Sequence, residues 1–362
     1  MNDVSVFSET YADARAKFLA AARGCGAALT HYRHPGQGPT GEELYFDVAV
    51  LGQADAPRVL VVGCGTHGIE GYSGSGAQTA WMRGGGAGRI PAGTAVVFFH
   101  GHNPWGFAHR SRCTEENVDL NRNFVDFDEP RPANPGYAEL HPVLTPATFD
   151  DASLAGIFRR LDEYRARVGE QGFSDAFNGG QYTHPDGLVF GGERTQWSAA
   201  TFLEALRTHV GHAKQAAIID LHTGIGPYLG HIYLCFHAAG SPGYERARAW
   251  WGDRAVNREG VTHKAVASYQ GLLVNAFCAA LPQADTTAVV VEFGTRPRQE
   301  MQRALMAGRW LRYEGPKSPD LARAVRAVHD EAFYPADPAW RDAVLAQSRE
   351  FIDRAVAGIS AG

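Results

Sequence analysis

Cysteine and lysine are both scarce in this sequence. Five cysteines are scattered along 362 residues without a C-x-x-C pair, which excludes a disulfide-built scaffold and is typical of reduced thiols in the cytoplasm. Lysine occurs only four times, so nearly all of the positive charge is arginine. The net charge is −5 and no basic run is present, so neither nucleic acid nor an anionic membrane is expected as a partner.

Long apolar runs are absent as well. No apolar stretch approaches about 18 residues, so no membrane-spanning helix is predicted. The N-terminal stretch lacks a basic segment followed by an apolar one, so no signal peptide is predicted and a cytoplasmic location is favoured. Because 44% of the residues are hydrophobic and no linker divides the chain, we expect a single catalytic domain over residues 1–362.

Apolar segments of strand length alternate with helical patterns along the chain. The predicted strands are 43–52, 58–63, 94–101, 216–222, 231–236 and 287–294. The predicted helices are 7–22, 71–83, 152–169, 197–210, 243–256, 298–310, 318–333 and 338–356, with long ordered loops at 125–150 and 177–195. This alternation predicts an α/β fold with a central mixed, mostly parallel sheet and helices on both faces.

Two motifs overlap in VVGCGTHGIEGY, residues 61–72. Gly63, Gly65 and Gly68 form G-x-G-x-x-G after an apolar run, as in a dinucleotide-binding turn. That interpretation, an NAD(P)-binding oxidoreductase, also needs an acidic residue at the end of the next strand. The next strand ends in FFHGHNP (98–104), which contains no carboxylate. The nucleotide interpretation is therefore the less favoured one.

The same stretch contains His67 and Glu70 as H-x-x-E, a spacing that lets both side chains reach one ion. Catalytic zinc is commonly held by two His and one Glu, with a fourth position left for water. His222 ends the apolar run AAIIDLH and is the best candidate for the third ligand. Three candidates at predicted strand ends favour a metal site over separately buried histidines.

Further candidates lie downstream. The segment DLNRNF (119–124) follows Arg110 and Arg112, and an arginine near a metal can stabilise an oxyanion or clamp a substrate carboxylate. Glu292 follows an apolar strand, where a carboxylate needs a partner or a function. It is either a general base or one half of a salt bridge with Arg296 or Arg298.

In order along the chain, THGIEG (66–71), NPWG (103–106), Arg112, DLNRNF (119–124), DLHTG (220–224) and VVEFG (290–294) match one family pattern. Together they resemble the zinc carboxypeptidases of the carboxypeptidase A type and their aspartoacylase and succinylglutamate desuccinylase relatives, in a bacterial branch of that superfamily. The match covers roughly residues 58–295, so the resemblance implies the fold predicted above and one zinc ion per chain.

The resemblance also implies roles for individual residues. The zinc ligands would be His67, Glu70 and His222, and Asp119 would accept a hydrogen bond from His67. Arg112, with Arg110 as second choice, would polarise the scissile carbonyl, and Asn121 and Arg122 would hold a substrate carboxylate. Glu292 would be the general base and then the acid, and Tyr269, 23 residues before it, would match the family's mobile tyrosine.

The implied function is a zinc-dependent metallocarboxypeptidase-like hydrolase that cleaves a C-terminal peptide or amide bond. The alternative is an N-acyl amino acid deacylase of the aspartoacylase type, so the partner is a small peptide or an N-acyl amino acid. The segment 180–198 departs from the carboxypeptidase pattern and carries His184, Asp186, Glu193 and Arg194. We expect it to line the substrate pocket.

Overall fold

Eight strands form one mixed sheet in the part of the chain that the computed structural model describes, residues 3–252, 255–257 and 267–361. The strands are β1 (Ala28–Gln37), β2 (Glu43–Gly52), β3 (Arg58–Cys64), β4 (Thr94–His100), β5 (Gln215–Gly224), β6 (His231–Cys235), β7 (Ala255–Asn257) and β8 (Asp285–Gly294). Their order is β1-β2-β4-β3-β5-β8-β6-β7. The four strands β4, β3, β5 and β8 are mutually parallel, whereas β1–β2, β2–β4 and β6–β8 pair antiparallel.

Helices cover both faces of this sheet. They are α1 (Tyr11–Gly24), α2 (Gly71–Arg83), α3 (Pro104–Ala108), α4 (Pro135–Leu144), α5 (Asp151–Asn178), α6 (Trp197–Val210), α7 (Pro242–Trp251), α8 (Leu273–Ala279), α9 (Arg298–Tyr313), α10 (Pro319–Phe333) and α11 (Pro338–Ala361). Along β3, Leu60 and Val62 pack with α1, α2 and α11, and Val59 and Val61 pack with α6 and α8. The predicted α/β class with a mixed, mostly parallel sheet is confirmed.

Three predicted helices and loops differ clearly from the structure, and the short helices α3 and α8 were not predicted. The helix predicted over 243–256 ends at Trp251, and 255–257 is a strand. The loop predicted over 125–150 contains α4, which begins at Pro135 after an Asn134 cap. Helix α5 continues past 169 to Asn178, with a break at Gly169, where φ is 76°. In the last two cases Pro or Gly within a polar stretch obscured the helical signal.

Strand β1 was not predicted. It is an edge strand that pairs only with β2 among the described strands, and its exposed and half-buried residues give no apolar run. It also contains Pro35 and Gly36, which an edge strand tolerates because one row of its backbone groups needs no partner. Among the described residues, every helix is too short or too polar to cross a lipid bilayer.

Glycines let α2 lie close to the sheet. A Cβ atom added at Gly74 would lie 2.3 Å from Cys64 Cβ and 3.3 Å from Leu221 Cβ, on strands β3 and β5. Because both strands are fully buried at these positions, the contact can be relieved only by moving the helix. This close packing fixes the start of α2, and with it the turn that precedes the helix.

We therefore predict that Gly74→Ala lowers the free energy of unfolding by about 1–3 kcal/mol through overpacking. The matched control is Gly156→Ala in α5, where nothing lies within 4 Å of the added Cβ, so stability should stay equal or rise by about 0.5–1 kcal/mol. Chemical denaturation of both variants checks this. A Gly74→Ala protein as stable as the control would show that α2 is not held this closely.

Candidate metal centre

Parallel pairing brings the predicted ligands to one edge of the sheet. Cys64, the last residue of β3, pairs with Leu221 of β5, and His222 pairs with Glu292 of β8. The turn after β3 carries His67 and Glu70, and Glu70 immediately precedes α2. Since the carboxyl ends of adjacent parallel strands share one edge, the site forms where open α/β sheets place their ligands.

His67, Glu70 and His222 form a tight buried cluster, each at most 4% exposed. The two Nδ1 atoms of the histidines are 3.1 Å apart. Glu70 Oε1 lies 3.0 Å from His67 Nδ1, and Glu70 Oε2 lies 3.0 Å from His222 Nδ1. One ligand atom from each residue lies within 4.8 Å of the other two, so the three can hold one metal ion. The cluster of predicted ligands is therefore present in the fold.

A second carboxylate lies behind each histidine. His67 Nε2 is 3.0 Å from Asp119 Oδ1, and His222 Nε2 is 2.7 Å from Asp220 Oδ2. A carboxylate accepts a hydrogen bond, so it holds a ring proton on Nε2 and leaves Nδ1 of each ring facing the cluster, where it can bind a cation once it carries no proton. Two Nδ1 atoms and one carboxylate converge, and this set of ligand atoms suits a divalent cation such as zinc.

The pKa values of the cluster follow from these contacts. Burial raises the pKa of the Glu70 carboxyl, but His67 and His222 lower it by more, to well below its usual range. Burial lowers the pKa of His222, but Asp220 and Glu70 raise it well above its usual value. The carboxylates are therefore ionised, and the position between them attracts positive charge.

Arg112 reaches the same cluster. Its Nη1 lies 2.9 Å from both His67 Nδ1 and Glu70 Oε1, and its Nη2 donates to Asp119 Oδ2 at 3.1 Å. Arg110, the second choice, instead donates to Asp330 Oδ2 at 2.6 Å and to the Glu9 carbonyl. The structure thus brings Arg112 into the site and Arg110 to another set of partners.

Glu292 lies beside His222 on the neighbouring strand and is 8% exposed. Burial and the nearby Glu70 raise the pKa of its carboxyl, although His222 opposes the shift. Arg296 pairs with Glu331 at 2.7 Å and Arg298 with Glu170 at 2.9 Å, so neither forms the salt bridge considered from the sequence. A buried carboxyl with a raised pKa next to the candidate metal ligands is suited to proton transfer.

Asn121, Arg122 and Tyr269 are linked to the cluster through Asp119: the Asn121 N–H donates to Asp119 Oδ1 at 3.0 Å, and Arg122 and Tyr269 interact with the charge of that carboxylate. Asn121 Oδ1 accepts the Leu273 N–H at 2.8 Å. The Arg122 guanidinium, 4.6 Å from the Tyr269 ring centre, donates to the carbonyls of Asn121 and Asn178 at 2.6 and 2.8 Å. Both Nη atoms are engaged, while the buried Nε has no hydrogen-bond partner. Burial raises the pKa of the Tyr269 hydroxyl, which also interacts with the charges of Arg122 and Glu292.

The segment 180–198, which departs from the carboxypeptidase pattern, forms hydrogen bonds to the turn at 119–123. The Phe190 carbonyl accepts the Asp119 N–H at 2.7 Å, and Asn123 Nδ2 donates to the Gly191 and Arg194 carbonyls at 2.8 and 2.9 Å. Tyr182 donates its hydroxyl hydrogen to the Arg122 carbonyl at 2.7 Å. This segment therefore helps to position Asp119 and Arg122.

Sequence reasoning missed Asp220 and its partners. Thr66 Oγ1 donates to Asp220 Oδ1 at 2.9 Å, and His102 Nδ1 lies 2.9 Å from the same hydroxyl. All three side chains are completely buried. A signal was present for Asp220, because alternate residues of a strand share a face and D-L-H places it beside His222. Thr66 and His102 had no such signal.

The glycines of the G-x-G-x-x-G pattern are packed against protein. A Cβ atom added at Gly68 would lie 2.0 Å from the carbonyl carbon of Gly106, and one at Gly63 would lie 2.7 Å from His102 Cε1. At Gly65, φ is 79°, and an added Cβ would lie 3.2 Å from Gly101 Cα. The pattern is thus accounted for by close approach of the 101–107 segment.

Several solved structures are similar to this chain. Bovine thrombin-activatable fibrinolysis inhibitor, in complex with tick carboxypeptidase inhibitor, is 10% identical, with 98% of each chain covered and a TM-score of 0.48. A candidate metallopeptidase from Shewanella amazonensis is 12% identical, with 90% of this chain and 93% of that chain covered and a TM-score of 0.46. A succinylglutamate desuccinylase from a Silicibacter species is 13% identical, with 80% and 66% covered and a TM-score of 0.41.

In sequence, no curated protein matches the chain. One family covers nearly all of it, at residues 7–347, and is described as "Protein of unknown function (DUF2817)". The chain belongs to the DUF2817 family.

Proposed function

We propose that this protein is a metal-dependent hydrolase, with one zinc ion per chain, that cleaves a C-terminal peptide or amide bond. The observation that carries the proposal is the convergence of the two Nδ1 atoms of His67 and His222 on Glu70, each ring backed by a carboxylate. The leading subclass is a metallocarboxypeptidase, and the alternative is an N-acyl amino acid deacylase. We treat residues 1–362 as one catalytic domain.

In this proposal His67, Glu70 and His222 hold the ion, and Asp119 and Asp220 fix the ring orientations. Bound zinc lowers the pKa of a coordinated water to about 7 and polarises a carbonyl oxygen. Glu292 accepts a proton as the attacking water loses it and then delivers that proton to the leaving nitrogen.

The guanidinium of Arg112 donates to Glu70 through Nη1 and to Asp119 through Nη2. Its positive charge beside the reacting carbonyl stabilises the oxyanion that forms there. Because it shares His67 Nδ1 and Glu70 Oε1 with the ion site, it has to move when a cation binds.

Arg122, Asn121 and Tyr269 would face the substrate carboxylate. The buried Arg122 Nε is its only guanidinium nitrogen left without a hydrogen bond. A carboxylate clamp at this position therefore requires Arg122 to release one backbone carbonyl. Tyr269 covers the same guanidinium and would close over the bound group.

The metal is tested first. Protein purified without added metal or chelator should contain about one zinc per chain, because the three ligands are already assembled. The His67→Ala, His222→Ala double variant should lose that metal and keep its fold, as judged by circular dichroism. Elemental analysis of both proteins measures this. Wild type that contains no metal and takes up none on addition of zinc would remove the proposed function.

The carboxylate behind His222 gives a second prediction. Asp220→Asn should weaken zinc affinity by about 10–100-fold, because a neutral amide no longer raises the basicity of the ring. The matched control is Asp285→Asn, an exposed position at the start of the parallel partner strand β8. Competition with a chelating zinc indicator measures both affinities. Equal affinities in the two variants would show that Asp220 does not act on the ligand.

Glu292→Gln should lower kcat by about 10²–10⁴-fold while metal content stays unchanged, whereas Glu245→Gln, an exposed carboxylate in α7, should have no effect. In wild type, the base works only when ionised. Since burial raises the pKa of Glu292, activity should fall on the acid side at a higher pH than an ordinary carboxyl would set. Full activity of Glu292→Gln would exclude its role.

Substrate panels separate the two subclasses. Dipeptides with a blocked N-terminus and a free C-terminal carboxylate test for carboxypeptidase activity. Free N-acyl amino acids test for deacylase activity. Turnover of the N-acyl amino acids alone would reject the carboxypeptidase assignment in favour of the deacylase. Full metal occupancy with no turnover of either panel would reject both.

A further inference from the structure

A second site is suggested by a cavity that shares one residue, Arg112, with the proposed catalytic residues. It measures about 160 Å³ and lies between the 105–113 segment, the 187–189 turn and helices α9 and α10. Among the described residues that line it, none is Asp or Glu. Five are arginines, namely Arg110, Arg112, Arg309, Arg312 and Arg326, and two are histidines, His109 and His329. A wall of this charge is expected to attract anions.

Several of these arginines do have carboxylate partners outside the cavity wall. Arg110 and Arg326 share one carboxylate, Asp330, at 2.6 and 4.0 Å. Arg309, with 7% of its side chain exposed, contacts Asp186 at 3.1 Å and Glu314 at 3.7 Å. These two guanidinium groups thus share one paired carboxylate, which also lies 2.9 Å from His329 Nδ1, although the Glu9 charge acts on Arg110 as well.

Arg312 has no carboxylate partner among the described residues. Its guanidinium donates to the backbone carbonyls of Thr114 and Glu115 and lies 5.3 Å from the Trp105 ring centre. These contacts fix the planar group in place, and the Glu115 carboxylate, which pairs with His34 at 3.2 Å, interacts with the Arg312 charge only at longer range. The cavity therefore carries an excess of positive charge on a rigid donor.

The half-exposed Arg326 also carries positive charge that its neighbours do not fully offset. Burial and the neighbouring Arg110 guanidinium both lower the pKa of Arg326, whereas Asp330 raises it by less. A guanidinium in this position is stabilised by an additional anion. With Arg312 it provides two planar donor groups, the geometry that matches carboxylate and phosphate oxygens.

We propose that this cavity binds an oxyanion, the carboxylate or phosphate group of a small molecule. Arg312 and Arg326 are its principal donors. The site is independent of bond cleavage at the metal centre, although Arg112 lines the cavity and also contacts Glu70.

Isothermal titration calorimetry with inorganic phosphate and with succinate tests this proposal, at constant ionic strength set by chloride. We expect saturable binding of at least one anion at one site per chain. Arg312→Gln should weaken it at least about tenfold, the loss expected for a charge-assisted hydrogen bond. Arg326→Gln, at a position with 40% of the side chain exposed, should act in the same direction and disturb the fold less.

The control variant is Arg303→Gln on the same helix α9, whose side chain approaches Asp151 at 3.6 Å and does not line the cavity. It should leave anion binding unchanged. Because phosphate can also bind a metal, the titration is repeated on chelator-treated protein and on the His67→Ala, His222→Ala variant, and binding should persist in both.

Three results would overturn the proposal: no saturable binding of either anion, equal weakening by the Arg303 and Arg312 variants, or loss of binding whenever the metal is removed. The last result would place the anion on the metal ion. Persistent binding in a protein that shows no hydrolase activity would support the oxyanion site while rejecting the proposed function.

Discussion

The hydrogen bonds from Asp119 to His67 and from Asp220 to His222 are the constraint on which the site depends. Each one fixes a ring proton on Nε2 and turns Nδ1 toward Glu70. Without them either ring could rotate or take the other tautomer, and the cluster would offer hydrogen-bond donors where a cation needs acceptors. The two aspartates come from unrelated parts of the chain, so the fold must bring both to one edge of the sheet.

The balance of charge in the site also favours a bound cation. Four buried carboxylates, those of Glu70, Asp119, Asp220 and Glu292, lie in this site, and the Arg112 guanidinium contacts two of them, Glu70 and Asp119. Burying carboxylates without opposite charge is costly. Asp220 and Glu70 raise the pKa of His222, and the positive form of this ring offsets part of that cost. A divalent cation between the Nδ1 atoms would compensate it more fully.

The sequence predicts those features that depend on neighbours along the chain. The local signals are H-x-x-E in one turn, a histidine at the end of one strand and a glutamate at the end of another. Parallel pairing of the strands then brings these residues to one edge of the sheet. What could not be predicted depends on distant contacts. Edge strand β1 has no apolar run, the Arg122 guanidinium is engaged by the Asn178 carbonyl 56 residues away, and the arginine cavity combines segments that are more than 200 residues apart. Asp220 lies between these cases, since its D-x-H spacing was visible in the sequence.

The overlap of G-x-G-x-x-G with H-x-x-E has a physical reason in this fold. The backbone N–H groups of Gly68 and Ile69 donate to the carbonyls of Arg112 and Ser111 at 3.2 and 3.0 Å. Such a contact requires the two segments to approach more closely than a Cβ at Gly68 would permit. The glycine therefore supports the candidate metal centre, because it lets the segment that carries Arg112 pack alongside the turn that carries His67 and Glu70. A phosphate-binding turn would need the backbone N–H groups of Gly68 and Ile69 to be free. Here both already donate to carbonyl groups of the protein.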